Sequence, residues 1–207
     1  MLTNVYIDGF NLYYRAVKNT GFKWLDLGRL ATTLFPHDEI QSIEYFTAYL
    51  SNRPGTEGSR LRQLVYLRAL QTIPNLTIHF GQFRSRTKTR PLVARPDMYV
   101  EVLDSEEKGS DVNLVTRLLM DAITENYEQA VLISNDADFA GAMLCVKNEL
   151  NLKMTLVSPD PDEKYIPESL RNAATYIRRI RKRHMRESQF PDRLSDDRGE
   201  IIKPPEW

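Results

Sequence analysis

Four aspartates, Asp8, Asp111, Asp136 and Asp138, carry the residue types and spacing from which chemistry could be built. Asp8 closes the short apolar run Val5-Tyr6-Ile7, and Asp136 and Asp138 follow Ala130-Val-Leu-Ile-Ser134. Asp111 opens a stretch in which Val112, Val115, Leu118, Leu119, Ala122 and Ile123 recur at helical spacing. Ionised together and unpaired, four neighbouring carboxylates repel one another, so either some keep protons or a divalent cation sits among them. Mg²⁺ and Mn²⁺ favour carboxylate and water oxygens, and Mg²⁺ takes one or two protein carboxylates with waters and a substrate phosphate. A metal so held polarises a phosphodiester, orients a water and neutralises charge on the leaving oxygen. Histidine is not required, and His37, His79 and His184 lie on unrelated segments where they read as surface or packing residues.

Taken singly, each acid has a plainer reading. Asp8-Gly9 suits a strand-to-loop turn, Asp111 a helix N-terminus favoured by the dipole, and Asp136 or Asp138 a cap for the helix entered at Phe139. The case for chemistry rests on the elements that position them. Strand-like segments at 5–7, 43–50, 76–83, 130–134 and 153–157 alternate with helical patterns at 13–17, 27–34, 61–70, 112–123 and 139–149. Another helix follows Pro167, and Ser51-Asn-Arg-Pro-Gly55 turns the chain. This alternation predicts an α/β fold with a mostly parallel central sheet and helices on both faces. Ligands of such sheets bind beyond the carboxyl ends of the strands, at the switch in strand order. A helix that feeds a parallel strand starts at that same edge, so Asp111 belongs there with Asp8, Asp136 and Asp138. If the first and fourth strands are neighbours, all four meet. Asn11, one turn from Asp8, either begins its helix or positions a ligand or water; Lys108 either steers phosphate or balances Glu106 and Glu107.

Composition narrows the classes. The chain has 207 residues, 42% hydrophobic and 27% charged, which is ordinary for a globular protein and too apolar for wholesale disorder. Lone Cys145 excludes an internal disulfide, and no Cys/His group offers a structural zinc site. No apolar run approaches the ~20 residues of a membrane span, and Met1-Leu2-Thr3-Asn4 leads into a strand and not a signal peptide, so a cytoplasmic protein is expected. The 28 basic and 28 acidic residues balance, yet eleven cations fall in two stretches without acids. One contains Arg84, Arg86, Lys88, Arg90 and Arg95; the other runs from Arg178 to Arg186. Basic strips on an acidic body suit a polyanion, as they suit two solvated charge runs. Residues 84–97, with Pro91 and Pro96, read as an inserted loop or hairpin whose second arm is Met98–Leu103. A basic helix and an irregular tail are expected over 178–207. The tail's Phe190, Ile201, Ile202 and Trp207 are apolar enough to dock on the body of the domain or on a partner.

Three spaced motifs carry a resemblance. Tyr6-Ile-Asp8-Gly-Phe-Asn11, Glu107-Lys-Gly-Ser-Asp111-Val-Asn-Leu114 and Ser134-Asn-Asp136-Ala-Asp138-Phe139 resemble, in order, the three signatures of NYN-domain proteins, members of the PIN-like nuclease group. The resemblance covers residues 4 to about 158 and implies a PIN-like three-layer sandwich over 1–177 with metal-dependent ribonuclease activity. It implies Asp8, Asp111, Asp136 and Asp138 as ligands of Mg²⁺ or Mn²⁺, with Asn11 and Ser134 as polar site residues. One departure stands out: many relatives carry another acid six residues after the second-motif Asp, where this chain has Arg117. Arg117 then weakens a second metal site or contacts nucleic acid.

These readings converge on an endoribonuclease acting on single-stranded or loop RNA, with no membrane partner and a monomeric or homodimeric state. Arg84, Arg86, Lys88 and Arg90 would track the RNA backbone, and Phe10, Tyr13 or Tyr14 would stack bases. Two rivals accompany it: an RNA-binding or regulatory module with a degenerate site, which Arg117 favours, and an enzyme acting on a small anionic molecule. No Gly-rich phosphate loop or cofactor fingerprint supports the second rival.

Overall fold

The computed structural model describes residues 1–50, 57–124, 127–160 and 166–207; the expected turn at 51–55 lies outside them. A seven-stranded sheet runs in the order β4-β3-β2-β1-β5-β6-β7. Its strands are β1 (Leu2–Asp8), β2 (Glu39–Ala48), β3 (Leu76–Leu92), β4 (Arg95–Lys108), β5 (Gln129–Ile133), β6 (Lys153–Ser158) and β7 (Tyr176–Arg179). All pairings are parallel except β3 with β4. β1 is central, and six of its seven residues are buried, as expected of a strand covered on both faces. Its neighbours are β2 and β5, with Val5 opposite Ile43 and Val131. The first and fourth sequence-predicted strands are therefore adjacent, and the order reverses between them.

Two cores flank the sheet. Val5 and Ile7 point into one, which packs against α1 (Gly9–Leu12), α2 (Leu27–Leu34), α3 (Glu57–Leu70) and, further along the chain, Phe190 and Ile201. Tyr6 points into the other, beneath α4 (Ser110–Ile123), α5 (Ala140–Leu144) and α6 (Glu168–Ala173). This alternation is the two-residue period of a strand.

One alternative is decided and two expectations need correction. The basic 84–97 segment takes the hairpin alternative and is not a loop: β3 and β4 form one long antiparallel ribbon from Gln82↔Lys108 to Leu92↔Arg95, whose second arm includes the expected Met98–Leu103. Because β2 pairs with β3 only as far as Gly81, the ribbon projects beyond the carboxyl edge of the sheet. The basic 178–186 stretch is not one helix either. Arg178 and Arg179 end edge strand β7, and only Lys182–Glu187 is helical (α7). The tail is ordered as a hairpin, β8 (Arg193–Asp196) with β9 (Gly199–Ile202). It docks on its own domain, where the Arg68 guanidinium of α3 pairs with Asp196 and Trp207 packs 6.1 Å from Trp24. Among the described residues no helix is long and apolar enough to cross a membrane.

Candidate active site

Each element meets the carboxyl edge in a way that holds an acid there. β1 stops at Asp8 because its side chain turns back to cap α1, accepting the Asn11 N–H through Oδ1 at 3.0 Å. The other oxygen, Oδ2, accepts the Ser134 hydroxyl at 3.0 Å, so the ends of β1 and β5 are tied through the carboxylate itself. Gly9 permits this geometry: a Cβ there would lie 2.7 Å from both the Phe46 carbonyl oxygen and the Tyr45 ring. Asn11 ties the same two strand ends a second time, its Oδ1 accepting the Asn135 N–H at 2.9 Å.

The turn after β5 is built from the third motif. Fully buried Ser134 accepts the Asp136 N–H at 3.1 Å, and Asp136 Oδ1 accepts the Asp138 N–H at 3.0 Å. Asp136 is thus a cap, as the plain reading of that residue holds, and its second oxygen has no hydrogen-bond partner among the described residues. Asp111 sits in the first turn of α4, entered through Gly109 at φ +101°. Glu107 fixes that entry by accepting the Ser110 N–H at 3.1 Å and the Ser110 hydroxyl at 2.6 Å. Gly81 makes room for it, since a Cβ there would sit 1.9 Å from Glu107 Oε1.

The electrostatics show that these acids share one field. Burial pushes the Asp8 carboxyl up to about 6; the Asn11 and Ser134 hydrogen bonds pull it down, and the charges of Asp111 and Asp136 raise it further. Asp111 is also raised, by burial first and then by Glu107, Asp136 and Asp138. None of the four aspartates is ion-paired with a basic side chain among the described residues. Nor do three or more His, Cys, Asp or Glu side chains converge there into a ready-made metal cage. Hard oxygen donors with uncompensated charge suit Mg²⁺ or Mn²⁺ held by one or two carboxylates and waters, and they do not suit a closed all-protein site.

The remaining sequence-predicted residues divide. Lys108 stands at the foot of the ribbon, 3.0 Å from Glu106. Arg84 and Arg90 are exposed on β3 and carry no ion pair among the described residues. Arg86 lies 3.9 Å from Glu106. Lys88 is a correction: its ammonium is engaged by both Asp104 and Glu106 on β4, because the antiparallel register sets acids beside the cations. Arg117 is a second. It bonds Asp121 at 3.1 Å and lies 3.8 Å from Glu44, at the level of Tyr6 in mid-sheet and away from the rim. Phe10 packs edge-to-face on Phe83 at 5.7 Å, and Tyr13 and Tyr14 stand partly exposed beside them.

Asp160 escaped the sequence reading. It follows β6 on the same edge, accepting from Asn135 Nδ2 at 2.6 Å and from Arg15 at 2.8 Å. Its signal was the one used for Asp8 and Asp136, an acid just past a buried apolar run. Beyond it, Ile180 N–H bonds the Ser158 carbonyl at 3.0 Å, which brings the second basic stretch to the same edge. Two strand spacings, about 10 Å, separate β5 from β7.

A mostly parallel seven-stranded sheet with helices on both faces is the architecture of a PIN-like α/β sandwich. The chain belongs to the NYN domain family, whose model matches residues 2–181, and with it to the PIN-like nuclease group. It is similar to 6-hydroxy-3-succinoylpyridine 3-monooxygenase HspA of Pseudomonas putida (strain DSM 28022 / S16), at 26% identity over 99% of this chain and 75% of that protein. It is also similar in fold to VPA0982, a protein of unknown function from Vibrio parahaemolyticus RIMD 2210633. That crystal structure superposes with a TM-score of 0.56 at 16% identity, over 91% of this chain and 95% of that one.

Proposed function

We propose that the protein is a metal-dependent endoribonuclease working at the Asp8–Asp136 rim. The observation that carries this reading is geometric: buried Asp8 is tied through Ser134 to the turn that holds Asp136, and none of Asp8, Asp111, Asp136 and Asp138 has a basic partner among the described residues. Asp8 and Asp136 would hold Mg²⁺ or Mn²⁺, with Asp111 and Asp138 completing the site directly or through water. When bound, the ion supplies Lewis-acid polarisation of the phosphodiester and activation of water. The chain's own residues do the positioning. Ser134 and Asn11 fix the two strand ends on which the acids ride. Exposed Arg84 and Arg90 on the ribbon, Lys108 at its foot and the stretch from Arg179 hold backbone phosphates on either side. Water adds to phosphorus and the 3′ oxygen departs, leaving a 5′-phosphate and a 3′-hydroxyl.

The test is cleavage of single-stranded RNA by purified protein with Mn²⁺. Cleavage should disappear with EDTA and in both Asp8→Asn and Asp136→Asn. Wild-type protein that leaves RNA intact, or variants that cut at the wild-type rate, would refute the proposal.

A second reading has one specific support. The Pseudomonas relative, matched over nearly the whole chain, is named for an action on a pyridine bearing an acidic side chain. On this reading the rim serves a small aromatic anion, and turnover of such a compound without RNA cleavage would favour it.

A further inference from the structure

A concavity adjoins the rim on the face of the sheet covered by α1 and α3, between those helices, β2 and the foot of the ribbon. Its volume is ≈ 560 Å³, within the range of pockets that take small organic ligands. The walls are aromatic and braced. Tyr45 is buried, and the Tyr66 hydroxyl donates to the Leu25 carbonyl at 2.8 Å, which fixes its ring. Trp207 packs against Tyr66 at 5.8 Å, while Phe10 and Phe83 hold each other edge-to-face. Tyr13 stands at the opening with over a third of its surface exposed. Rings braced by one another lose little further freedom when a ligand binds, and aromatic walls favour an aromatic occupant.

Charge then selects among flat rings. Lys18, Lys23 and Arg62 line the opening, whereas Glu206, 3.1 Å from Arg62, is the only carboxylate among the described lining residues. Lys18 lies 4.8 Å over the Tyr14 ring, and neither lysine has an ion-pair partner among the described residues. An apolar slot with a surplus of positive charge at its mouth favours an anionic substituent on the ring. The lining runs up to Gly9, the residue after Asp8, so the cavity adjoins the rim.

We propose that this cavity is a binding site for a flat aromatic ring carrying an anionic group. A nucleotide and a free aromatic carboxylic acid share that chemistry. The assignment rests on the lining alone and does not require the rim to cut RNA.

Calorimetric titration of the full chain in EDTA, with adenosine 5′-monophosphate and separately with pyridine-3-carboxylate, tests it. At least one should bind with Kd below ~1 mM. The Lys18→Gln/Lys23→Gln double variant, altered only at side chains outside the core, should bind at least tenfold more weakly. Asp8→Asn, which removes a neighbouring negative charge, should bind at least as tightly as the wild type, which separates this site from the nuclease proposal. Binding of the nucleotide alone marks a base subsite for nucleic acid, and binding of the pyridine acid alone marks a free small-molecule site. Failure of both ligands to bind, an unchanged Kd in the lysine double variant, or loss of binding in Asp8→Asn would overturn the assignment.

Discussion

Asp8→Asn should make the metal-free protein more stable at neutral pH, although it abolishes the proposed activity. Burial raises the Asp8 carboxyl to about 6 in the folded chain against an ordinary 3.8. An acid with a raised folded value binds its proton more tightly folded than unfolded. Ionising it therefore removes stability as pH climbs from 3.8 through 6, and the whole penalty stands above that window. At 1.36 kcal/mol per pH unit the interval amounts to about 3 kcal/mol. Asparagine is neutral throughout and keeps both hydrogen bonds. Its oxygen accepts the Asn11 N–H, and its amide donates to Ser134 Oγ, which has a lone pair beyond the one used by Asp136. For a chain of this size about 3 kcal/mol corresponds to a rise of roughly 6–12 °C in Tm. Differential scanning calorimetry in EDTA should show that rise at pH 8, shrinking to an effect of about 0.5 kcal/mol at pH 4. Excess Mn²⁺ should then raise the Tm of the wild type more than that of the variant, since only the wild type offers the ion a buried charge. A Tm in the variant that falls, stays level, or rises equally at both pH values would refute the argument.

Two further outcomes follow from the corrected positions. Arg117→Ala takes the cation from buried Asp121, which keeps the Tyr6 hydroxyl, and leaves Glu44 with only His79, at 2.6 Å; because the guanidinium is half-exposed, thermal unfolding should reveal a loss of about 1–3 kcal/mol. A loss below about 1 kcal/mol would return Arg117 to the list of substrate contacts. Arg90→Gln should reduce the slope of log K against log salt for single-stranded RNA by about 0.7, whereas Lys88→Gln, already neutralised by Asp104 and Glu106, should leave it unchanged. Equal effects would mean that the ribbon's internal pairs open on binding.

What was legible in the chain follows a physical pattern. Asp8 and Asp136 announce themselves because each ends an apolar run, and parallel topology sends every such end to one edge. Asp111 is legible through the helical stripe that begins beside it. Family membership comes from the three motifs, and the sheet-centred architecture from the alternation of strand and helix patterns. Long-range pairing is what stays hidden. Arg86 and Lys88 look uncompensated in a local window, but their partners are Asp104 and Glu106, brought alongside by a strand register that composition does not encode. Arg117 was legible in principle. Six residues along a helix rotate it by about 240° from Asp111, which aims it away from the rim. The four-residue strands of β8 and β9 are too short to display alternation, although Asp196-Asp-Arg-Gly199 is a turn signal and Gly199 sits at φ +111°. Asp160 needed only the strand-end rule applied a third time.

The central claim is that the Asp8–Asp136 rim captures a divalent cation. Anomalous scattering from a crystal soaked in Mn²⁺ tests it without reference to any substrate. The account predicts one strong peak within coordination distance of a carboxylate oxygen of Asp8 and one of Asp136, absent from Asp8→Asn crystals treated identically. A rim that stays free of anomalous density, or a peak that persists in the variant, would contradict it.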